Sequence, residues 1–437
     1  DLGNMAMAKD NNTKAVFVEY FSDSIIDNND KPTAEWVTQW LKKIEAASGA
    51  KLGTEAFALA CDAADPLAVF RSQFHIPQHQ GNDVAYFCGN SLGLQPKATA
   101  EVVMGELTKW AKVGVEGHFT GDIPWATCEE LLPELCKEIV GAEDAKLEIG
   151  FSNSLTVNLH LMMVAFYRPT QQRTKIMIET AAFPSDRYAT VSQILHHGLD
   201  PKECLIEVTP SADVKAHTEN YGVIETQRII DEINAHKDVL KLVMLSGIQY
   251  VTGQRFDMEK ITAHVTSINK DLPENDRIYI GWDLAHVAGN VPLKLHEWNV
   301  DFAAWCSYKY LNSGAGCLAG MFLHSKHAKT PIEELPRFAG WWGVPIEKRF
   351  KMAQKMECSE GVSSFICSNV PPIMVACIKP SLEVFQRAGG VRMTRHKSLL
   401  CTGYLEALLS LLYVLSLTHT HTLSLSLSLS HTHTHTL

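Results

Sequence analysis

The sequence of 437 residues contains no long apolar run. A membrane-spanning helix needs roughly 18–20 consecutive apolar residues, and the nearest stretch, residues 405–417, is shorter and contains Glu406. Residues 1–5 also lack the cationic region that opens a secretory signal. We therefore expect neither a membrane partner nor a secretory signal.

Basic clusters and paired cysteines are missing as well. The formal net charge is −10 and no basic run alternates with aromatic residues, so we expect no nucleic-acid partner. The eleven cysteines form no Cys-x-x-Cys pair. In a chain of this length, such cysteines are typical of buried thiols in a reducing compartment, and we expect a cytosolic protein.

The sequence does contain a series of short apolar strands between helical segments. The clearest predicted strands are residues 175–178, 242–245, 278–282, 302–305 and 320–324. Uninterrupted apolar strands of this kind predict an α/β fold whose largely parallel sheet is covered on both faces. Ligands of such sheets bind outside the carboxyl ends of the strands.

A lysine and an aspartate follow two of these strands. Lys309 lies just beyond Trp305 in Trp-Cys-Ser-Tyr-Lys-Tyr, and Asp283 follows Trp282. A lysine among aromatic and small residues loses hydration, which favours the neutral amine that condenses with an aldehyde. Together the pair predicts a pyridoxal-phosphate site, in which the aspartate holds the protonated pyridine nitrogen. Taken singly, such residues are more often an edge lysine and a helix-capping aspartate.

Three further segments carry groups that this cofactor needs. The polar turn before Thr156 opens a helix whose N-terminus can bind a phosphate, and Tyr308 can donate to the same group. Phe183 follows a predicted strand and precedes a proline, so its ring can stack on the cofactor beside Asp186. His286 follows Asp283 by one helical turn. Each segment alone also has an ordinary structural explanation.

Two loops further along the chain offer polar and aromatic side chains. Trp341 lies in Gly-Trp-Trp-Gly and is a candidate N–H donor to phosphate. Asn369, in Ser-Asn-Val-Pro-Pro, suits recognition of a polar aryl group. His324 and His327 form only an i, i+3 pair without a third ligand, so no metal site is predicted.

Several of these motifs resemble the kynureninase family. The matching segments are residues 89–97 (GNSLGLQPK), 155–160 (LTVNLH), 183–186 (FPSD), 283–286 (DLAH), 305–312 (WCSYKYLN) and 368–369 (SN, followed by two prolines). The resemblance covers roughly residues 30–405. It implies a fold-type I transferase-like domain with a mostly parallel seven-stranded sheet, a cytosolic homodimer, and hydrolysis of L-kynurenine or 3-hydroxy-L-kynurenine. The products would be anthranilate or 3-hydroxyanthranilate and L-alanine.

The resemblance also implies roles for single residues. Lys309 would be the Schiff-base lysine and Asp283 the partner of the pyridine nitrogen. Tyr308 is, in addition, our own candidate for proton handling near the scissile carbonyl. The implied cofactor contacts are Leu155, Thr156, Phe183, Pro184, Ser185, Asp186, Ser246, Asp283, His286, Tyr308, Lys309, Trp341 and Asn369. Those at the aromatic end of the substrate would be His118, Asn369 and Ser91.

The same resemblance suggests a division of the chain into domains. Residues 85–345 would form the large cofactor-binding domain, with the helical segment 1–84 and residues 346–412 contributing to a small domain. Residues 413–437 consist largely of His-Thr and Ser-Leu repeats, for which we expect no specific packed core.

The C-terminal part departs from the family pattern. The family carries there an arginine that binds the substrate α-carboxylate, whereas no arginine follows Arg395 in this sequence. Ile366 and Cys367 stand where an arginine-bearing pair is expected, and the turn within residues 264–277 looks longer. We therefore expect the cofactor half of the site to be retained and catalysis to be impaired.

Two other interpretations remain open at this point. One is another class-V pyridoxal enzyme, such as an aminotransferase or a desulfurase, although no loop cysteine flanked by Gly or Ser stands out after Lys309. The other is a non-catalytic protein with a decayed site, which the missing arginine favours and the pair Asp283 and Lys309 opposes.

Overall fold

The computed structural model describes residues 34–211 and 222–420, and these fall into two compact units. One unit is Ser72–Val391, and the other consists of Asp1–Arg71 together with Arg392–Leu437. Residues 346–391 thus group with the sheet unit. The assignment of segments 1–84, 85–345 and 346–412 to a large and a small domain stays a prediction.

A seven-stranded sheet forms the centre of the unit Ser72–Val391, in the order β3-β9-β8-β7-β6-β4-β5. Strands β4 to β8 pair in parallel, whereas β9 is antiparallel to both β3 and β8. The predicted mostly parallel α/β sheet is therefore confirmed. Its strands are β3 Ile149–Ser152, β4 Lys175–Glu179, β5 Leu205–Val208, β6 Leu240–Ser246, β7 Tyr279–Asp283, β8 Phe302–Trp305 and β9 Ala319–Leu323; a hairpin of β1 Gln78–His79 and β2 Asn82–Asp83 precedes them.

The strands of the sheet are largely apolar, as expected where helices cover both faces. Every residue of β3, β8 and β9 is buried, including Phe151, Phe302 and Phe322. The helices of this unit are α4 Ala98–Val113, α5 Pro133–Val140, α6 Ala145–Glu148, α7 Leu155–Phe166, α8 Pro184–His196, α9 Pro201–Cys204, α10 Thr226–His236, α11 Met258–Asn269, α12 Ile346–Arg349 and α13 Pro372–Arg387.

The second unit is helical where it is described. It contains α1 Ala34–Ser48, α2 Glu55–Ala64, α3 Ala68–Arg71 and most of α14, Gly390–Thr420. Helix α1 buries Trp40 and Ile44. The backbone of α14 extends to Thr420, into the predicted low-complexity segment, and residues 421–437 of that segment lie outside the described residues.

Two connecting segments are held by specific hydrogen bonds. Residues 86–88 before the Gly-Asn turn form no strand; the Tyr86 hydroxyl instead donates to the Leu92 carbonyl at 2.8 Å. The turn after α11 is held by buried Lys241, whose ammonium donates to the carbonyls of Asn275 and Arg277 at 3.0 and 3.2 Å. Within the described residues, no helix combines the length and apolarity needed to cross a bilayer.

Candidate active site

The carboxyl ends of β4, β6, β7 and β8 border one cavity of about 500 Å³, called the first cavity below. Because parallel strands end at the same edge, side chains from distant sequence segments converge there. The predicted residues that line it are Ser91, Leu155, Thr156, Phe183, Ser185, Asp186, Ser246, Asp283, His286, Tyr308 and Lys309. Asp283 and Lys309 therefore open into the same space, and no arginine is among the described residues that line it.

The Lys309 side chain contacts an imidazole. Its Nζ lies 3.3 Å from Nε2 of His286, which follows β7. Burial lowers the pKa of His286, the positive charge of Lys309 lowers it further, and Asp283 opposes both effects. A neutral imidazole can accept a hydrogen bond from the lysine. The pair therefore holds the lysine nitrogen at a fixed position in the first cavity.

Asp283 and Asp186 form a pair of buried carboxyl groups. Oδ1 of Asp283 accepts a hydrogen bond from the Ala285 N–H at 2.7 Å. Burial, the charge of Asp283 and a hydrogen bond to it raise the pKa of Asp186 well above its ordinary value. Oδ1 of Asp186 has no hydrogen-bond partner among the described residues. Such a buried orphan acceptor at a cavity wall is suited to a ligand that brings a donor.

The cavity also offers N–H and hydroxyl groups. Helix α7 begins at Leu155, and the Ser154 side chain before it makes no capping hydrogen bond. The hydroxyl groups of Thr156 and Ser185 lie 2.8 Å apart. Because the first N–H groups of a helix lack intrahelical partners, this corner can bind an anion.

Phe183 precedes α8 and presents an aromatic face to the cavity. Pro184 occupies the first turn of α8, where its fixed φ suits a helix start, and it does not line the cavity. The Phe183 ring is 48% exposed and meets Tyr250 edge-on, with ring centroids 5.2 Å apart. A planar ligand can therefore lie against Phe183 without displacing core residues.

The turn at residues 89–93 packs directly on the lysine loop. The Gly93 N–H donates to the Tyr308 carbonyl at 2.8 Å. A Cβ at Gly93 would lie 2.3 Å from the Lys309 carbonyl oxygen and from Asn312 Oδ1. Only glycine fits this contact, which brings Ser91 to the rim of the first cavity.

Tyr308 forms a hydrogen bond with the Cys306 thiol. Burial raises the pKa of Tyr308, as does the Cys306 contact, and burial raises the pKa of Cys306 to about 11. Both groups therefore carry their protons near neutral pH. Tyr308 accordingly presents a protonated hydroxyl group at the wall of the first cavity.

His118, Trp341 and Asn369 do not line the first cavity. They line a second cavity of about 590 Å³, which Phe119 and Phe350 also border. The Trp341 indole N–H donates to the Arg349 carbonyl at 2.9 Å. Within one chain, these three predicted residues are thus grouped together but separate from Lys309.

Several residues of the first cavity escaped the sequence analysis. Ser154 and Cys306 lie within two residues of predicted site residues, and Ile248 and Tyr250 follow the predicted strand 242–245. Nearness to a strand end was therefore the sequence signal that could have identified them. The complete set of missed lining residues is Asn90, Ser154, Ile248, Tyr250, Ala285 and Cys306.

His324 lies in a different cluster, with Glu148 and His296. Their potential ligand atoms lie within 4.8 Å of one another. Glu148 is fully buried and accepts hydrogen bonds from His296 Nδ1 at 2.6 Å and from the Ser325 N–H at 2.9 Å. The Lys326 N–H occupies Nδ1 of His324. The atoms that could bind a metal are thus already engaged in hydrogen bonds, and the cluster is explained as a structural hydrogen-bond network.

Comparisons with known proteins agree with this geometry. The chain is 44% identical over 384 residues to a kynureninase of Nematostella vectensis, covering 85% of this chain and 78% of that one. It is 45% identical to a kynureninase of Myxococcus xanthus, covering 82% and 79% of the two chains.

No protein-family model matches the chain. Among solved structures, a variant of C-DES with glycine covalently linked to its PLP cofactor superposes with a TM-score of 0.54 at 15% identity, covering 71% of this chain and 73% of that one. At this identity the likeness concerns the fold alone, and it supports the seven-stranded architecture. The sequence identity of 44–45% over more than four fifths of the chain settles the family. The chain belongs to the kynureninase family.

Proposed function

We propose that the protein is a pyridoxal-phosphate-dependent hydrolase that cleaves L-kynurenine or 3-hydroxy-L-kynurenine between Cβ and Cγ. The observation that carries this proposal is that Lys309 and Asp283, from the ends of two neighbouring strands, line one cavity. Membership of the kynureninase family supplies the substrate class. A cytosolic location stays a prediction from the thiol content of the chain.

The residues of the first cavity fit this cofactor. Its volume of about 500 Å³ suits a ligand of this size. The hydroxyl groups of Thr156, at the N-terminus of α7, and of Ser185, at the N-terminus of α8, match a phosphate. Phe183 offers a stacking face, and the orphan oxygen of Asp186 offers an acceptor at the ring. We propose that Leu155, Ser246 and His286 complete the contacts.

The chain's own groups then have distinct tasks. When bound, pyridoxal phosphate supplies an aldehyde that captures an amine and a ring that accepts electrons. We propose that Asp283 keeps a proton on the ring nitrogen. With the cofactor bound, Lys309 would take the proton from the substrate Cα, and His286 would hold its nitrogen in reach. Tyr308 remains protonated and donates a proton near the scissile carbonyl.

We further propose that the active form is a homodimer. Exposed apolar side chains follow one another along α4 and the turn after it, with Trp110 66% and Val115 71% exposed. A large exposed apolar surface of this kind marks an interface. A second copy would also explain why His118, Trp341 and Asn369 form a cavity apart from Lys309: in a two-fold dimer, each protomer can offer this second cavity to the partner's first cavity.

A spectroscopic titration tests the function. The purified chain with pyridoxal phosphate should show a visible absorption band that changes on addition of L-kynurenine, with release of anthranilate and alanine. Lys309→Ala should abolish that band and the turnover, whereas Lys294→Ala, which removes a surface lysine paired with Glu297, should preserve both. Binding of the cofactor without any product would refute the hydrolase activity.

The same assay with 3-hydroxy-L-kynurenine tests the expectation of impaired catalysis. Turnover near that of the related kynureninases would refute it. Cofactor binding with slow turnover and weak substrate binding would support it, because no arginine among the described residues lines the first cavity to bind the α-carboxylate.

A further inference from the structure

Glu179, the last residue of β4, is a buried carboxyl group behind the wall of the first cavity. It is 2% exposed. Both of its oxygens accept hydrogen bonds from a single residue, Ser246 at the end of β6. Oε1 accepts from the Ser246 hydroxyl at 2.5 Å, and Oε2 accepts from the Ser246 N–H at 3.2 Å. Two bonds from one residue fix both the backbone and the side chain of Ser246.

Ser246 itself lines the first cavity and stands opposite Asp283 in the β6–β7 pairing. A hydroxyl group has one hydrogen to donate and two lone pairs that accept. Because its hydrogen is directed to Glu179, the Ser246 oxygen has only lone pairs to offer to the cavity. Burial raises the pKa of Glu179, the bonds from Ser246 lower it, and the neighbouring Asp283 raises it.

We propose that Glu179 is a positioning residue of the cofactor site, which holds Ser246 as an oriented hydrogen-bond acceptor beside Asp283. The inference rests on the proposed binding of pyridoxal phosphate. The Ser246 oxygen would accept a hydrogen bond from the bound cofactor. Glu179 therefore acts on the ligand through Ser246, and removing either partner of this pair disturbs the same contact.

Titration of the apoprotein with pyridoxal phosphate tests this pair. Glu179→Gln keeps the size of the side chain, but its amide NH₂ group faces one of the two groups of Ser246 that donate to Glu179. Ser246→Ala removes the hydroxyl. Each change should weaken cofactor affinity about tenfold, the effect of one lost charge-assisted hydrogen bond. The double variant should bind no more weakly than Ser246→Ala, and the visible absorption maximum of the bound cofactor should shift in all three.

Glu148→Gln is the matched control, because Glu148 is also a fully buried glutamate that accepts from a backbone N–H. It should lower the thermal unfolding midpoint and leave cofactor affinity unchanged. Equal loss of affinity in this control would overturn the proposal, since the effect of Glu179 would then be a general loss of stability.

Two other results would overturn it as well: unchanged affinity in Ser246→Ala, or losses that multiply in the double variant. Ser246→Ala retains the buried glutamate, so this variant tests the proposal even if Glu179→Gln fails to fold. Failure of the unaltered chain to bind the cofactor would refute the proposed function instead. Binding without kynurenine cleavage would refute the activity alone and leave the test of Glu179 intact.

Discussion

Nζ of Lys309 and Nε2 of His286 lie 3.3 Å apart, which joins the proposed reactive amine to a buried imidazole. The contact is favourable only while the imidazole is neutral, because a second positive charge would repel the lysine ammonium. Burial and the charge of Lys309 lower the pKa of His286 below its ordinary value of 6.5, so the neutral form prevails near neutral pH.

Turnover should therefore fall on the acid side as His286 takes up a proton, with a midpoint below 6.5. His286→Gln, whose amide accepts a hydrogen bond but does not titrate, should displace or remove this acid limb in a profile of kcat/KM against pH. An unchanged acid limb in the variant would assign the titration to another group. Far-ultraviolet circular dichroism at each pH checks that the fold persists.

Gly93→Ala should damage the lysine loop. The new methyl group would lie 2.3 Å from the Lys309 carbonyl oxygen, so the turn or the loop must shift. We expect a loss of about 1–3 kcal/mol in the free energy of unfolding and a lower kcat. Gly105→Ala, within α4 and with no atom within 4 Å of the added Cβ, is the control and should stabilise by roughly 0.5–1 kcal/mol. Equal effects of the two changes in urea unfolding would contradict the crowding argument.

Asp301, just before β8, should be a main determinant of acid stability. It is 5% exposed and accepts from the Ile280 N–H at 2.9 Å and from Lys326 and His327 at 2.8 Å. The Lys326 charge and the His327 bond outweigh burial and hold the pKa of Asp301 below its usual range. A depressed native pKa stabilises the fold above the unfolded-state value near 3.8, and this contribution disappears as the pH falls.

Asp301→Asn should thus cost about 3 kcal/mol in the free energy of unfolding at pH 7, and the difference from the unaltered protein should shrink toward pH 3. Urea unfolding at several pH values measures both effects. Asp231→Asn, on the exposed side of α10, should change little at any pH. A difference that stays constant with pH would exclude the charge of Asp301 as its cause.

The parallel sheet made much of the first cavity predictable. Asp283 and Lys309 follow apolar strands, and the carboxyl ends of parallel strands share an edge, so their convergence followed from topology. Glu179 was not predictable in this way. From sequence alone, a glutamate at a strand end is expected to be solvated. Its hydrogen-bond partner Ser246 lies far along the chain and comes next to the buried Glu179 only in the folded sheet.

The second cavity marks a different limit. His118, Trp341 and Asn369 lie in motifs that local sequence could identify. Their separation from Lys309 depends on how the short 3-10 turns Gly114–His118 and Trp341–Gly343 and the loop at Asn369 pack. Local spacing does not determine where such loops pack. If these three residues act at the first cavity of a partner protomer, the sequence of one chain could not have shown how they are placed relative to that cavity.

Mixed dimers test this sharing of sites. Lys309→Ala and Trp341→Ala chains should each be inactive alone. In a heterodimer, one site combines the intact first cavity of one protomer with the intact second cavity of the other, so random mixing should restore about a quarter of the unaltered activity. The control pairs Lys309→Ala with Asp283→Asn, both in the first cavity, and should restore none. Absence of recovery in the test pair would mean that Trp341 serves its own chain, because complementation requires the two defects to fall on different protomers of one site.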